Sequence, residues 1–207
     1  MYAKSQPSQV LALFDFDGTL CKRDSFTGFI FYAHSHMRIV KRGVTILPWI
    51  LAYYAKQYPA HLMRPKLYQA LFKNIDADQV QKAAQHYVKT LVKHLDSDLL
   101  KQLQQHQRLG HRVILVSASL DLYLQPLCQH LGIELICTQV EIQNNLLTGQ
   151  YASQDCSNEQ KAIRILECCN LSHYSHVYAY GNSDEDLAML ELADTVHYVG
   201  RNELTLI

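Results

Sequence analysis

Two aspartates, Asp15 and Asp17, stand one residue apart directly after an apolar run at residues 11–14. A buried strand rarely contains carboxylates, because an unpaired charge away from water is costly. In open α/β sheets, ligands bind beyond the carboxyl ends of the strands. The pair is therefore predicted to mark a site at the end of a strand, where Gly18 turns the chain.

Further polar groups follow strand-like runs or lie in predicted helices later in the chain. Ser117 comes directly after an apolar run, and Lys161 lies in a predicted helix. Asn182 and Asp186 follow a third apolar run. A hydroxyl, an ammonium group and a carboxylate at such positions are groups that phosphoryl transfer uses to hold oxygens and to balance charge.

Residues 15–20 read DFDGTL, and this string resembles the signature of the haloacid dehalogenase-like phosphohydrolases. Three later strings resemble the subgroup that contains phosphoserine phosphatase: HRVILVSAS at 111–119, LTG at 147–149 and AYGNS at 179–183. The resemblance covers nearly the whole chain. It implies an α/β fold with a doubly wound parallel sheet, a Rossmann-like core, and an α-helical cap inserted behind the first motif.

The resemblance also implies a role for each motif residue. Asp15 is the expected nucleophile, which forms an aspartyl-phosphate, and Asp17 is the expected general acid and then general base. Ser117 and Lys161 are expected to hold phosphate oxygens. Mg²⁺, a hard ion that prefers oxygen ligands, is the expected cofactor, bound by the Asp15 carboxylate and the Asp17 carbonyl oxygen.

The fourth motif departs from the family pattern. It usually begins with an aspartate, and this chain has Asn182 at that position. An amide oxygen binds Mg²⁺ without contributing charge, so weaker metal binding is expected. Asn182 is assigned as a metal ligand and Asp186 as the acid of the metal site. Asp184 is interpreted as a helix N-cap, with compensation for Asn182 as the alternative.

Substrate selection is expected to depend on the cap. Asp24 is predicted to contact the substrate, and an N-cap role at the start of a helix is the alternative. Arg64 is predicted to add affinity for phosphate, together with Lys66. The alternative for both basic residues is ordinary solvation on a helix surface.

Strand-like and helix-like segments alternate after residue 95, which favours a parallel sheet with helices on both faces. The resemblance implies a catalytic core at 1–22 and 95–207 and a helical cap of type C1 at 23–94. Strands are predicted at 10–16, 112–116, 133–137, 176–180 and 195–199, with a hairpin at 140–151. Helices are predicted at 25–42, 44–55, 61–74, 77–94, 97–109, 120–131, 158–169 and 184–192.

The net charge of zero conceals a division of charge. Residues 23–93 contain eleven Lys and Arg against three acids, about +8, and the rest of the chain is about −8. Such asymmetry indicates that the basic segment meets an anionic substrate or surface. A solvated helical face that docks on an acidic core is the alternative. Nucleic acid is not expected as a partner, since the chain has no recognisable RNA-binding motif.

Residues 44–55 are apolar almost all round and contain Trp49, Tyr53 and Tyr54. Twelve helical residues span about 18 Å, too short for a hydrocarbon core of about 30 Å. Such a helix could lie in a membrane interface beside the basic residues of the segment. A buried helix of the cap is the alternative. Apolar residues early in the cap are typical of the phosphatidylglycerophosphatase C type.

The N-terminal segment and the cysteines bear on where the protein is expected to be located. The polar segment 1–9 lacks the apolar centre of a signal peptide, and the six cysteines form no CxxC pair. The cysteines are interpreted as reduced core thiols, and the expected location is cytoplasmic, with peripheral contact at the inner face of the membrane left open.

These features together predict a Mg²⁺-dependent phosphomonoester phosphatase. The favoured substrate is a lipid-headgroup phosphate such as phosphatidylglycerophosphate. A soluble small-metabolite phosphatase, acting on a compound like phosphoserine, is the first alternative. A binding or regulatory module weakened in catalysis by Asn182 is the second.

Overall fold

A computed structural model of the chain describes residues 9–201 and residue 204. The strands in this part are β1 (Gln9–Phe14), β2 (Ile75–Asp76), β3 (Arg112–Leu120), β4 (Glu134–Thr138), β5 (Val140–Gln143), β6 (Leu146–Tyr151), β7 (Tyr174–Gly181) and β8 (Thr195–Tyr198). The α-helices are α1 (Ser25–Ala33), α2 (His36–Gly43), α3 (Leu47–Tyr54), α4 (Ala60–Phe72), α5 (Ala77–Val92), α6 (Ser97–Arg108), α7 (Asp121–Leu131), α8 (Glu159–Cys168) and α9 (Leu187–Leu190). The polar N-terminal residues 1–8 and the last residues of the predicted core, 205–207, lie outside the described part.

Five strands form a parallel sheet in the order β4-β3-β1-β7-β8. β1 lies in the middle and pairs in parallel with β3 on one side and β7 on the other. The chain passes from β1 outward to β4, then returns to β7, so the direction of winding reverses between β1 and β7. Ligands of open α/β sheets bind at such a switch point. The predicted α/β fold with a doubly wound parallel sheet is confirmed.

β1 is apolar from Val10 to Phe14 because helices cover both faces of the sheet. Successive strand residues point to opposite faces, and Leu11 and Leu13 join one buried cluster while Ala12 and Phe14 join the other. The ring of Phe14 stacks on Tyr180 of β7, with the centroids 4.1 Å apart. This packing holds the ends of β1 and β7 side by side.

The helical segment, defined as residues 23–94, differs in detail from the prediction. The helix predicted at 25–42 is broken at His34, whose backbone is extended, and Ser35 caps the start of α2 by accepting a hydrogen bond from Arg38 N. α2 ends at Gly43, and since the backbone of Gly43 is itself helical, the next three residues continue as a 3₁₀ helix, Val44–Ile46. Pro48 lies in the first turn of α3, where its missing N–H costs no hydrogen bond.

A second sheet, in the order β2-β6-β5, joins the helical segment to the hairpin. β2 pairs with β6 through Ile75 opposite Leu147 and Asp76 opposite Leu146. This two-residue strand is not visible in the sequence pattern, since it is too short to show an alternation. The hairpin predicted at 140–151 is present and turns at Asn144 and Asn145, which both have positive φ. A two-residue turn of this kind matches the twist of the flanking strands.

α2 and α3 are the least buried helices of the segment, and neither contains a buried residue. Their large exposed apolar side chains, together with one in the 3₁₀ turn between them, are Met37, Val40, Val44, Leu47, Trp49, Leu51, Tyr53 and Tyr54. Within the described part of the chain, no helix combines the length and apolar character that crossing a membrane requires.

Candidate active site

A cavity of about 410 Å³ lies over the carboxyl ends of β1 and β3. Its floor is polar and contains Asp15, Asp17, Ser117, Lys161 and Asp186. Its wall comes from the helical segment. The structure therefore brings five of the predicted site residues to one cavity beside the switch point of the sheet.

Lys161 joins two of these carboxylates. Its Nζ donates to Asp15 Oδ1 at 2.6 Å and to Asp186 Oδ1 at 2.5 Å. The lysine is 1% exposed, so α8 delivers its ammonium group into the interior rather than to solvent. Burial lowers the pKa of Lys161, but the two carboxylates outweigh that effect and raise it above its usual value. Burial raises the pKa of Asp15 to about 6, against the opposing effect of Lys161.

Asp186 is held at both oxygens. Its Oδ2 accepts from the backbone N–H groups of Asn182 and Ser183, each at 2.9 Å, and from Ser183 Oγ at 3.1 Å. Burial alone would raise the pKa of Asp186, but Lys161 and these backbone donors hold it below its usual value. The arrangement fixes an ionised carboxylate at the end of β7.

Asp17 accepts hydrogen bonds from one residue of the core and one residue of the helical segment. Ser119 Oγ donates to Asp17 Oδ2 at 2.5 Å, and the backbone N–H of Ser25 donates to Asp17 Oδ1 at 2.6 Å. Ser25 is the first residue of α1, and Tyr87 of α5 donates to its carbonyl oxygen at 3.1 Å. Burial raises the pKa of Asp17, and the hydrogen bonds from Ser119 and Ser25 oppose that rise.

The sequence interpretation missed Ser119 and Ser25. Ser119 lies two residues after Ser117, and side chains at that spacing share a face of a strand, so a signal was present. Ser117 is 1% exposed, and its Oγ accepts from the backbone N–H of Ser119 at 3.1 Å. Both hydroxyls line the same cavity as Asp17.

Asn182 lies beside the turn that follows β1. A Cβ added to Gly18, whose φ is +80°, would collide with the side-chain amide of Asn182. This contact places the amide against the DFDGTL turn and explains why the turn needs a glycine. Asp184 is exposed and is the first residue of the 3₁₀ helix Asp184–Asp186; Ser183 holds the N-cap position. The interpretation of Asp184 as the N-cap was therefore wrong.

Asp24 and Arg64 both reach the cavity from the helical segment. Asp24 is the N-cap of α1 and accepts from Thr27 N at 2.9 Å and Thr27 Oγ1 at 2.7 Å. The N-cap alternative is thus confirmed for Asp24, while substrate contact stays a prediction.

Arg64 is paired rather than solvated. Its Nε and Nη2 donate to the two carboxylate oxygens of Asp155, both at 2.9 Å. Its Nη1 and Nη2 also donate to Glu185, at 3.1 and 3.2 Å. Burial lowers the pKa of Arg64, but Asp155 and Glu185 raise it further than burial lowers it. Lys66 lies over the ring of Trp49, 4.5 Å from its centroid.

Sequence interpretation missed both partners of Arg64. Asp155 is 91 residues away along the chain and Glu185 is 121 residues away, so no local pattern connects them to the arginine. The two acids flank the site, one before α8 and the other after β7. Arg64 thus connects α4 by ion pairs to the segment before α8 and to the segment after β7.

The charges around the cavity fit a divalent cation. The carboxylates that line it are Asp15, Asp17, Asp24, Glu185 and Asp186. The cations that line it are Lys161 and Arg64, and each is already paired with two carboxylates. A phosphate dianion would meet net repulsion here unless a positive ion accompanied it.

The available ligands are oxygens, which suit Mg²⁺ better than zinc or iron. Asp15 and Asp186 supply carboxylates to the cavity, whereas Asn182 is not among its lining residues and lies beside Gly18. Among residues 9–201 and 204, no group of three or more His, Cys, Asp or Glu side chains is arranged to hold a metal. A site with one or two carboxylates is what Mg²⁺ uses when phosphate and water complete its coordination.

Comparison with known proteins places the chain among relatives of similar length. Protein CicA of Caulobacter vibrioides (strain NA1000 / CB15N) is 26% identical over 192 residues, covering 91% of this chain and 85% of CicA. A Bordetella pertussis Tohama I protein of unknown function has a similar structure, with a TM-score of 0.74 and 19% identity over 91% of this chain and 89% of that one. A substrate-bound phosphoserine phosphatase gives a TM-score of 0.66 and 16% identity over 92% and 86% of the two chains.

Family membership rests on the sequence itself. The model of the haloacid dehalogenase-like hydrolase family matches residues 12–191, from within β1 to just beyond α9. The match includes each of the predicted motifs, and the structural likeness to phosphoserine phosphatase shows the same fold. The chain belongs to the haloacid dehalogenase-like hydrolase family.

Proposed function

We propose that this chain is a Mg²⁺-dependent phosphomonoester phosphatase that works through an aspartyl-phosphate on Asp15. The observation that carries the proposal is the buried bridge from Lys161 to Asp15 and Asp186 at the floor of the cavity. The lysine orients one carboxylate oxygen of Asp15 and brings a positive charge to the place where phosphate oxygens would lie. Asp17, two residues further on, lies within the same cavity.

The reaction would proceed in two displacements. A carboxylate oxygen of Asp15 attacks phosphorus, and the bond from phosphorus to the ester oxygen breaks as Asp17 gives that oxygen a proton. A water molecule then attacks the phosphorus of the acyl phosphate while Asp17 takes its proton. Phosphate leaves, and the carboxylate of Asp15 is restored. Lys161 and Ser117 hold the other phosphate oxygens through both steps.

The metal would be held by Asp15, the Asp17 carbonyl oxygen, Asn182 and Asp186. When bound, Mg²⁺ supplies positive charge that offsets the repulsion between the site's carboxylates and the phosphate. Asn182 contributes no charge, so the proposal includes weaker metal affinity than an aspartate at that position would provide.

A phosphate on a lipid headgroup, such as that of phosphatidylglycerophosphate, is the substrate class that we favour. The helical segment carries an excess of basic residues, and α2 and α3 expose apolar side chains on its surface. Basic residues beside exposed aromatic and aliphatic side chains suit contact with an anionic bilayer. Peripheral contact at the inner face of the membrane follows from this proposal.

A soluble metabolite such as phosphoserine is the main alternative, and the fold shared with phosphoserine phosphatase is what favours it. Recognition of an amino-acid carboxylate needs an available cation. Arg64, the cation contributed by the helical segment to the cavity, already binds Asp155 and Glu185. This pairing makes the soluble amino-acid substrate the weaker candidate.

The test is phosphate release from a panel of phosphorylated metabolites and lipid phosphates, with and without millimolar Mg²⁺. Asp15→Asn should lose at least about three orders of magnitude in kcat. Rapid acid quenching of the parent should trap one phosphate on the peptide that contains Asp15. A parent as inactive as Asp15→Asn on every compound would leave a binding or regulatory module as the better description.

Liposomes distinguish the two substrate classes. Co-sedimentation with anionic vesicles should be lost in Trp49→Glu and kept in Trp49→Phe, since Trp49 is 38% exposed. Full activity on phosphoserine without lipid would exclude the lipid proposal.

A further inference from the structure

The cavity has two chemically different zones. The floor is built from the core and is polar, whereas the wall comes from the helical segment and is apolar. Six wall residues define what we call the apolar chamber: Ile30, Ile39, Ile46, Ile50, Met63 and Leu67. They come from α1, α2, the 3₁₀ turn, α3 and α4, so five consecutive elements turn aliphatic side chains toward the same space.

The chamber offers little to a second charged group on a substrate. Of the charged residues that the helical segment contributes to the cavity, Asp24 is an acid and Arg64 is the cation. Four of the five N–H groups of Arg64 already donate to Asp155 and Glu185, so its guanidinium can offer a further anion only one N–H. A polar group buried against such a wall without partners loses free energy.

A hydrocarbon group of a ligand, in contrast, binds favourably to these aliphatic side chains. Each methylene group that a ligand buries away from water increases its binding constant about fourfold. The chamber opens directly onto the floor that holds Asp15 and Asp17, so a group attached through the ester oxygen of a phosphate would extend into it.

We propose that the apolar chamber binds the hydrocarbon part of a phosphate monoester, so that an aliphatic chain enters the protein together with its phosphate. The inference rests on the proposed phosphatase function and narrows it to monoesters with hydrocarbon close to the phosphate, a class that excludes phosphatidylglycerophosphate because a second phosphate lies on the same glycerol. A bilayer lipid and a free aliphatic phosphate share this chemistry, and the arms of the experiment separate them.

The first arm uses ethyl, butyl, hexyl and octyl phosphate as monomers in Mg²⁺ buffer without lipid. We expect kcat/KM to rise two- to fourfold for each added methylene until the chamber is filled. Ile50→Ser should flatten this dependence, because Ile50 lines the chamber. Leu51→Ser on the same helix is the matched control, since Leu51 is 61% exposed and lies outside the cavity lining. Ile39→Trp, which fills part of the chamber, should move the optimum to shorter chains.

The second arm measures binding without turnover. Calorimetry with the corresponding alkylphosphonates should show the same dependence on chain length and the same difference between Ile50→Ser and Leu51→Ser. Chain-length dependence here would support the chamber even if no ester were hydrolysed, in which case only the phosphatase proposal fails.

Two results would overturn the inference. The first is Mg²⁺-dependent hydrolysis of ethyl phosphate, lost in Asp15→Asn, with kcat/KM that does not change from ethyl to octyl. This outcome would leave the phosphatase function standing. The second comes from repeating the first arm with a long-chain alkyl phosphate presented in vesicles: an equal loss in Ile50→Ser and Leu51→Ser that occurs only there would assign these side chains to bilayer contact instead.

Discussion

Ser119 Oγ donates a hydrogen bond to Asp17 Oδ2 at 2.5 Å, and so connects the end of β3 to the aspartate pair behind β1. The other oxygen of Asp17 accepts from the backbone of Ser25 at the start of α1. The carboxylate proposed to move protons is thus oriented by one group from the core and one from the helical segment.

Ser119→Ala should therefore reduce kcat about ten- to a hundredfold while KM changes little, because Asp17 loses the donor that orients it. Ser119→Thr keeps the hydroxyl and should restore most of the activity. Ser25→Ala removes a hydroxyl 3.1 Å from Ser119 Oγ but keeps the backbone N–H on Asp17, so it should cause a smaller loss than Ser119→Ala. Steady-state kinetics and thermal unfolding of the three variants check this. Equal kcat in the Ala and Thr variants would show that the hydroxyl does not position Asp17.

Asn182→Asp should strengthen Mg²⁺ binding about tenfold, because a carboxylate adds charge where the amide oxygen is neutral. Calorimetric titration with Mg²⁺, and the rise in melting temperature that Mg²⁺ produces, measure this independently of activity. Asp184→Asn, at an exposed position, should change neither value. Weaker binding in Asp184→Asn would show instead that Asp184 compensates for Asn182.

Arg64→Met should reduce the free energy of unfolding by about 3 kcal/mol, because it leaves Asp155 and Glu185 without their partner at a site where Arg64 is 16% and Asp155 9% exposed. Arg64→Lys should recover only part of the loss, since an ammonium group cannot bind a carboxylate through two parallel bonds. Urea unfolding measures both.

A matched control for Arg64 is Lys101→Met, whose ion pair with Asp98 lies in solvent and should not matter measurably. In a double-mutant cycle, Asp155→Asn should cost much less in the Arg64→Met background than alone. Additive effects would mean that the two residues do not interact in solution.

The free energy of unfolding should fall in mild acid, because the buried His106 must then take up a proton. Burial, with a smaller effect of His111, lowers the pKa of His106 to about 4 in the folded protein from 6.5. The neutral form is bound in place by Tyr180 OH at 2.8 Å. The pKa of His106 is lower in the folded protein than in the unfolded chain. The contribution of neutral His106 to the free energy of unfolding is therefore complete above pH 6.5 and is lost as the pH falls from 6.5 toward 4.

The expected loss between pH 6.5 and pH 5 is about 2 kcal/mol in the free energy of unfolding. His106→Gln should remove that part of the pH dependence, and His130→Gln, at an exposed position of α7, should leave it unchanged. Urea unfolding at both pH values provides the comparison. A pH dependence identical in all three proteins would mean that His106 is accessible to protons in the fold.

The catalytic floor could be predicted because its residues belong to short, local patterns. Asp15 and Asp17 follow the apolar strand β1, and Ser117 follows an apolar run within β3. Parallel strands bring their carboxyl ends to one edge whatever the details of packing. The break at His34 escaped prediction because the aromatic run before it continues the helical pattern, and only the capping bond from Ser35 competes with that pattern.

What the sequence alone determined is the fold class, the family and the residues of the polar floor, because local patterns and strand order decide these. The tertiary structure decided the rest. This includes the pairing of Arg64 with Asp155 and Glu185, the hydrogen bond from Ser119 to Asp17, and the apolar chamber of the cavity. For the three side-chain pairings the physical reason is distance along the chain: they join residues 91 to 121 positions apart, and only the pairing of β1 with β3 and the packing of the helical segment against the core bring them within bonding range.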